Sequence, residues 1–196
     1  LIFAAYNGLY LINIENESRI MIKVIKNVIT LEDSFELYQA LINQSIWALN
    51  RISAREKLGG SFPGVTFLEN GEIQYDHPYW IGYFNCLFDR INQKLKEQHN
   101  FILPRKIKRI ALNAQNDNHY TEFHDDTKNA YSIVGFLTPQ WAEEWGGELN
   151  IEGKIFKYSP GDFILFDSNK RHKSQEIKKI PYWRTSISYV IGYNTE

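Results

Sequence analysis

Residues 158–191 read YSPGDFILFDSNKRHKSQEIKKIPYWRTSISYVI, and their texture decides the fold. Segments 162–166, 171–177 and 184–192 are short and rich in β-branched and aromatic residues, with Pro160, Gly161, Asn169 and Pro181 breaking the chain between them. The last segment opens RTSISYVI, an alternating strand. Successive side chains of a strand point to opposite faces, so Arg184, Ser186 and Ser188 share one face and Thr185, Ile187 and Tyr189 the other.

The same texture runs back to Pro104 through segments 107–114, 119–124, 131–138 and 147–157. Upstream, IKVI reads as a short strand and residues 31–43 as a helix. Thr30 offers its cap, Asp33 follows three residues on, and Phe35, Tyr38, Leu41 and Ile42 recur at helical spacing. Asp76 and Pro78 open a second helix with Trp80, Ile81, Phe84, Leu87, Phe88, Ile91 and Leu95 on one stripe. Residues 51–75, with four glycines and a proline, read as a long mobile connection able to cover a site. Two helices followed by about eight short strands predict a mainly β (α+β) fold: a double-stranded β-helix, or cupin-like jelly roll, with the N-terminal helices packed on one sheet.

A chain of 196 residues with no linker fits one domain, expected over 21–196 with its jelly-roll core at about 105–193. Residues 1–20 stand apart as an N-terminal extension, either read-through ahead of Met21 or an extra edge segment. Their apolar run LIFAAYNGLYLI is too short to span a membrane and lacks the basic flank of a secretory signal. With 22 basic and 23 acidic residues, no global field steers the chain toward nucleic acid or an anionic membrane. Cys86 is the single cysteine, so no intrachain disulfide forms and a cytoplasmic setting is expected.

The chemistry concentrates in HYTEFHDDT (119–127). On an extended strand His124 and Asp126 project from the same face, and His172 arrives 46 residues later. Two imidazoles and one carboxylate on one side of a metal leave its other positions open, the arrangement that suits non-heme Fe(II) oxygen chemistry. Asp125 should point the other way. Arg184 follows His172 by 12 residues; a guanidinium buried inside a barrel is costly unless an acid meets it, and the sequence offers no obvious protein acid. A bound small-molecule carboxylate, gripped by Arg184 and the Ser186 hydroxyl, answers that need.

These motifs, HDD at 124–126, GFLTPQWAEEWGGEL at 135–149, YSPGDFILFDSNKRHKSQEI at 158–177 and WRTSISYVI at 183–191, resemble in their order the Fe(II) and 2-oxoglutarate dependent dioxygenases of the prolyl 4-hydroxylase type. The resemblance covers most of the chain from Met21 onward. It implies that His124, Asp126 and His172 hold Fe(II) and that 2-oxoglutarate meets the metal through its keto acid end, with Arg184 on its far carboxylate. Dioxygen would be the co-oxidant and ascorbate a possible reductant. Oxidative decarboxylation to succinate would then drive hydroxylation of a substrate C–H bond, peptidyl or prolyl by preference, with a nucleic acid or small metabolite as the alternative. A metal-binding jelly roll without turnover is the reading from a different class.

The resemblance has departures. The far-carboxylate cation usually falls nine to eleven positions beyond the distal histidine, and here the interval is twelve. A tyrosine that helps hold 2-oxoglutarate in several members would fall near Phe136, which has no hydroxyl. Asn113 and Gln115, on the strand before HDD, have the alternation to compensate. His77, His99 and His119 read as ordinary helix, loop and turn residues, Cys86 as a small helix residue, and PRKIKR (104–109) as a solvated basic face. Gly146 and Gly147 permit a tight turn that Trp141 and Trp145 pack.

Overall fold

The computed structural model describes residues 22–44, 46–51, 62–117 and 119–193; the expected extension at 1–20 and residues 52–61 of the glycine-rich connection lie outside them. In chain order the elements are strand β1 (Ile22–Ile25), helix α1 (Leu31–Ile42), strands β2 (Ala48–Arg51), β3 (Phe62–Glu69) and β4 (Glu72–Ile73), and helix α2 (Pro78–His99). Strands β5 (Ile107–Gln115), β6 (Ala130–Phe136), β7 (Leu149–Ile151), β8 (Lys154–Phe156), β9 (Phe163–Asp167), β10 (His172–Ser174) and β11 (Arg184–Gly192) follow. The large antiparallel sheet runs β1-β9-β6-β11-β5-β3-β2, with β4 on β3, and a small sheet runs β10-β7-β8. This is the jelly roll with helices on one sheet.

Two apolar clusters explain the layers. Outside the large sheet, Trp80, Phe84, Phe88, Ile91 and Leu95 of α2 and Leu37 and Leu41 of α1 pack on Ile110, Leu112, Ile133, Leu165, Ile187 and Tyr189. Between the sheets lie Phe136, Leu149, Ile151, Phe156, Tyr158, Ile164 and Phe166. Strand β9 feeds both clusters, Phe163 and Leu165 outward and Ile164 and Phe166 inward, which is why its apolar run is continuous. Strand β11 turns Ile187 and Tyr189 to the helices, so Arg184, Ser186 and Ser188 face the interior. The Tyr189 hydroxyl donates to the Phe84 carbonyl at 2.9 Å, locking α2 onto that outer face.

Three local expectations differ from the structure. Helix α1 is capped as expected, with Thr30 Oγ1 accepting from Asp33 N at 3.0 Å, but its buried stripe is Ser34, Leu37, Tyr38 and Leu41, leaving Phe35 exposed. The end of the expected connection is an ordered hairpin, β3 to β4, closing through Asn70 (φ 54°) and Gly71 (φ 82°) between the paired Glu69 and Glu72. Asn-Gly is a strong hairpin signal, and Pro63 and Gly64 had masked it. Residues 119–123 are not a strand. Thr121 instead lies beside β10, its amide donating to Ser174 O at 3.2 Å and its Oγ1 accepting from Ser174 N at 2.6 Å.

Candidate metal and carboxylate site

His124 and His172, far apart in sequence, form an isolated antiparallel bridge: His124 N donates to His172 O at 3.0 Å and His172 N to His124 O at 2.8 Å. Their rings are 4.4 Å apart. His124 Nδ1 lies 2.8 Å from Glu122 O, and His172 Nδ1 lies 2.9 Å from Lys170 O. A carbonyl can only accept, so each Nδ1 carries a proton, and in the neutral ring that leaves the Nε2 lone pair for a ligand. Burial pushes the His172 imidazole below its ordinary range against the opposing pull of Asp126, which favours the neutral, ligating form.

Asp126 completes the group: one ligand atom from each of His124, Asp126 and His172 lies within 4.8 Å of the others. Asp126 Oδ2 is 3.7 Å from His172 Nε2. Arg109 Nη2 donates to Oδ1 and Ser132 Oγ to Oδ2, while Ser132 and Ser168 hydroxyls meet at 2.8 Å and Asp126 N donates to Ser168 O at 3.0 Å. Burial alone would raise this carboxyl, but the charge of Arg109, with help from His172 and the Ser132 hydroxyl, holds it below the usual carboxylate range. It is therefore ionised and aimed. Asp125 is exposed at the cavity edge and stands outside the group.

A cavity of about 270 Å³ joins the triad to Asn113, Gln115, Arg184 and Ser186. Arg184 is 2% exposed; its Nη1 donates to Gln115 Oε1 at 2.5 Å, and among the described residues it has no carboxylate partner. Arg184 Nε and Gln115 Nε2 are both buried without an acceptor. Burial drags the Arg184 guanidinium below its ordinary value, against the opposing pull of Tyr158 and Glu148. Gly147 (φ 72°) makes room here, since a Cβ would lie 3.3 Å from Arg184 Cδ and 3.1 Å from Trp141. Ser186 is 5% exposed and sits opposite Asn113 on the paired β5.

Residues 107–191 match the model of the 2OG-Fe(II) oxygenase superfamily. This segment, which holds the triad and Arg184, is similar to that superfamily. Members are oxidoreductases that use Fe(II), 2-oxoglutarate and dioxygen. The chain is similar in fold to a Pseudomonas putida prolyl-4-hydroxylase, at 11% identity and TM-score 0.64 over 93% of this chain and 97% of that one. It is also similar to a Trichoplax adhaerens prolyl hydroxylase solved with a hypoxia inducible factor peptide fragment (16% identity, TM-score 0.58, 92% and 86% coverage). A third likeness is to SnoN, an epimerase of nogalamycin biosynthesis (13% identity, TM-score 0.63, 90% and 79% coverage). Among curated protein sequences none matches the chain.

The residues of this site fit both groups that the superfamily uses. Two imidazoles and a carboxylate converge as a divalent ion requires, and the orphaned donors of Arg184 and Gln115 fit a carboxylate. The tyrosine missing at Phe136 is not replaced by Tyr158, although that ring lies 4.4 Å from Phe136 and 5.2 Å from the Arg184 guanidinium. Its hydroxyl is spent on Thr138 N (2.8 Å) and Thr185 O (2.9 Å). Sequence reasoning missed Arg109, whose guanidinium leaves the expected basic face and enters the site. The signal was the strand period: Arg109 shares a face with Asn113 and Gln115 on β5. The Trp141 Nε1 bond to Gly146 O (3.0 Å), with Gly146 and Gly147 both at positive φ, gives that motif its packing role.

Proposed function

We propose that this oxygenase hydroxylates a peptidyl side chain, prolyl by preference, with His124, Asp126 and His172 as its Fe(II) ligands and Arg184, Ser186 and Asn113 holding 2-oxoglutarate. One observation carries the reading: a buried arginine that has an unmet Nε and, among the described residues, no carboxylate partner lines the same cavity as the triad. Bound there, the metal and cosubstrate supply the oxidising power of the reaction. The chain's own residues do the rest. The Nδ1 bonds of His124 and His172 aim both Nε2 atoms, Arg184 fixes the far end of the dicarboxylate with Gln115 steadying its fork, and Ser186 and Asn113 offer hydrogen bonds along it. The cavity walls Val134 and Leu149 limit water around the reacting atoms.

A peptide is favoured because the Trichoplax relative binds one in this fold. A small metabolite is the second reading, supported by SnoN, whose fold serves nogalamycin biosynthesis. A non-catalytic module is disfavoured because a structural metal needs no carboxylate anchor. Fe(II) and 2-oxoglutarate added anaerobically should give the weak visible charge-transfer band of their chelate. In air, a panel of proline-rich peptides, oligonucleotides and free amino acids should separate the substrates by which one stimulates succinate release. Folded protein that binds Fe(II) yet gives neither band nor succinate overturns the proposal.

A further inference from the structure

Asp126 carries two oxygens, and a carboxylate free to turn can give both to one metal. Here it is not free. Oδ2 is the oxygen 3.7 Å from His172 Nε2, and Oδ1 is the one bonded to Arg109. Ser132 Oγ takes a further lone pair of Oδ2, backed by Ser168 at 2.8 Å. Since an ionised carboxylate offers about four lone-pair positions, the arrangement leaves Oδ2 able to turn one of them toward the histidines.

Arg109 is built for this duty. Its side chain is 21% exposed against 7% for Asp126, Asp126 is its ion-pair partner among the described residues, and its Nε is buried without an acceptor. The Arg109–Asp126 pair also lines both the triad cavity and a second cavity of about 340 Å³ bordered by Glu69, Lys106 and Lys108, so it forms the wall between them. A guanidinium there both fixes Oδ1 and keeps the wall shut.

We propose that Arg109 is a positioning residue that keeps Asp126 a one-oxygen ligand by holding Oδ1 away from the metal. Other positions on the metal are thereby left open for the keto acid end of 2-oxoglutarate and for dioxygen. The inference rests on His124, Asp126 and His172 being the metal ligands.

The test is a Co(II) titration of the full chain, followed by its visible d–d absorption, for wild type, Asp126→Ala, Arg109→Met and Arg109→Lys, with melting curves of the metal-free proteins alongside. Wild type should bind one Co(II) and Asp126→Ala should not; failure of that pair overturns the ligand assignment itself. Arg109→Met should change Co(II) affinity by about 10 to 100-fold, with changed d–d intensity as Oδ1 is freed to join the metal and a smaller spectral response to added 2-oxoglutarate. Arg109→Lys keeps a donor and should restore part of each effect. Should Arg109→Met fail to fold, Arg109→Lys and Arg109→Gln are read by the same spectrum. A folded variant that melts earlier yet binds Co(II) with wild-type affinity and an unchanged spectrum shows a merely structural arginine and overturns the proposal.

Discussion

Arg109 and Arg184 stand on neighbouring strands, β5 and β11, and line one cavity, yet they are finished differently. Arg109 is matched by the Asp126 carboxylate. Arg184 is more deeply buried and meets a neutral amide instead. A buried pair once formed is costly to break, whereas a buried charge lacking its acid is a cost that folding already carries. The difference separates a cation that serves the protein's own carboxylate from one that, on the proposed function, would take a carboxylate from outside.

The comparison can be broken by substitution. The largest effect is expected from Asp126→Ala, which should abolish metal binding and succinate formation, as measured by Co(II) titration and a succinate assay. Arg184→Met should weaken 2-oxoglutarate by about 2 to 5 kcal/mol, read from the anaerobic charge-transfer band, while the metal-free protein melts no lower than wild type because an unmatched charge has gone. Arg109→Met should do the reverse to the metal-free protein, costing about 2 kcal/mol in denaturant unfolding because Asp126 loses its partner. Equal melting shifts for the two variants would erase the distinction.

Smaller effects sharpen it at the edges. Tyr158→Phe leaves Thr138 N without its acceptor and should cost about 1 to 2 kcal/mol near pH 8. Burial pushes the Tyr158 phenol up to about 12, against about 10 in the unfolded chain. The unfolded state therefore loses this proton first, so the associated stability is complete below about pH 10 and lost as pH rises toward about 12. Denaturant curves across that window should show the gap between wild type and Tyr158→Phe narrowing. Phe35→Ser, on the exposed side of α1, should change stability by less than about 0.5 kcal/mol, since it touches no buried feature.

Most of the fold and the triad could be read in the sequence because period and punctuation are local. The face-sharing of Arg184 and Ser186 and the glycine turn at 146–147 followed from such rules. What escaped depended on neighbours. Phe35 fits a helical stripe as well as Leu37 does, and only the position of the sheet decides which is covered. His124 and Asp126 were assigned to a strand, yet their convergence comes from one bridge to His172 and a backbone bond to Ser168, partners set by topology. Arg109 was hidden by its basic context, which resembles a solvated run until β5 is paired.

The reciprocal amide bonds between His124 and His172 carry a kinetic consequence. Each histidine's backbone proton is sheltered by the other's carbonyl, so neither can exchange with deuterium until the bridge opens. Slow exchange at both positions in metal-free protein would mean that the imidazoles wait side by side before any ion arrives. Loading would then be capture by a finished cradle, and its speed would be set by how readily the ion sheds water.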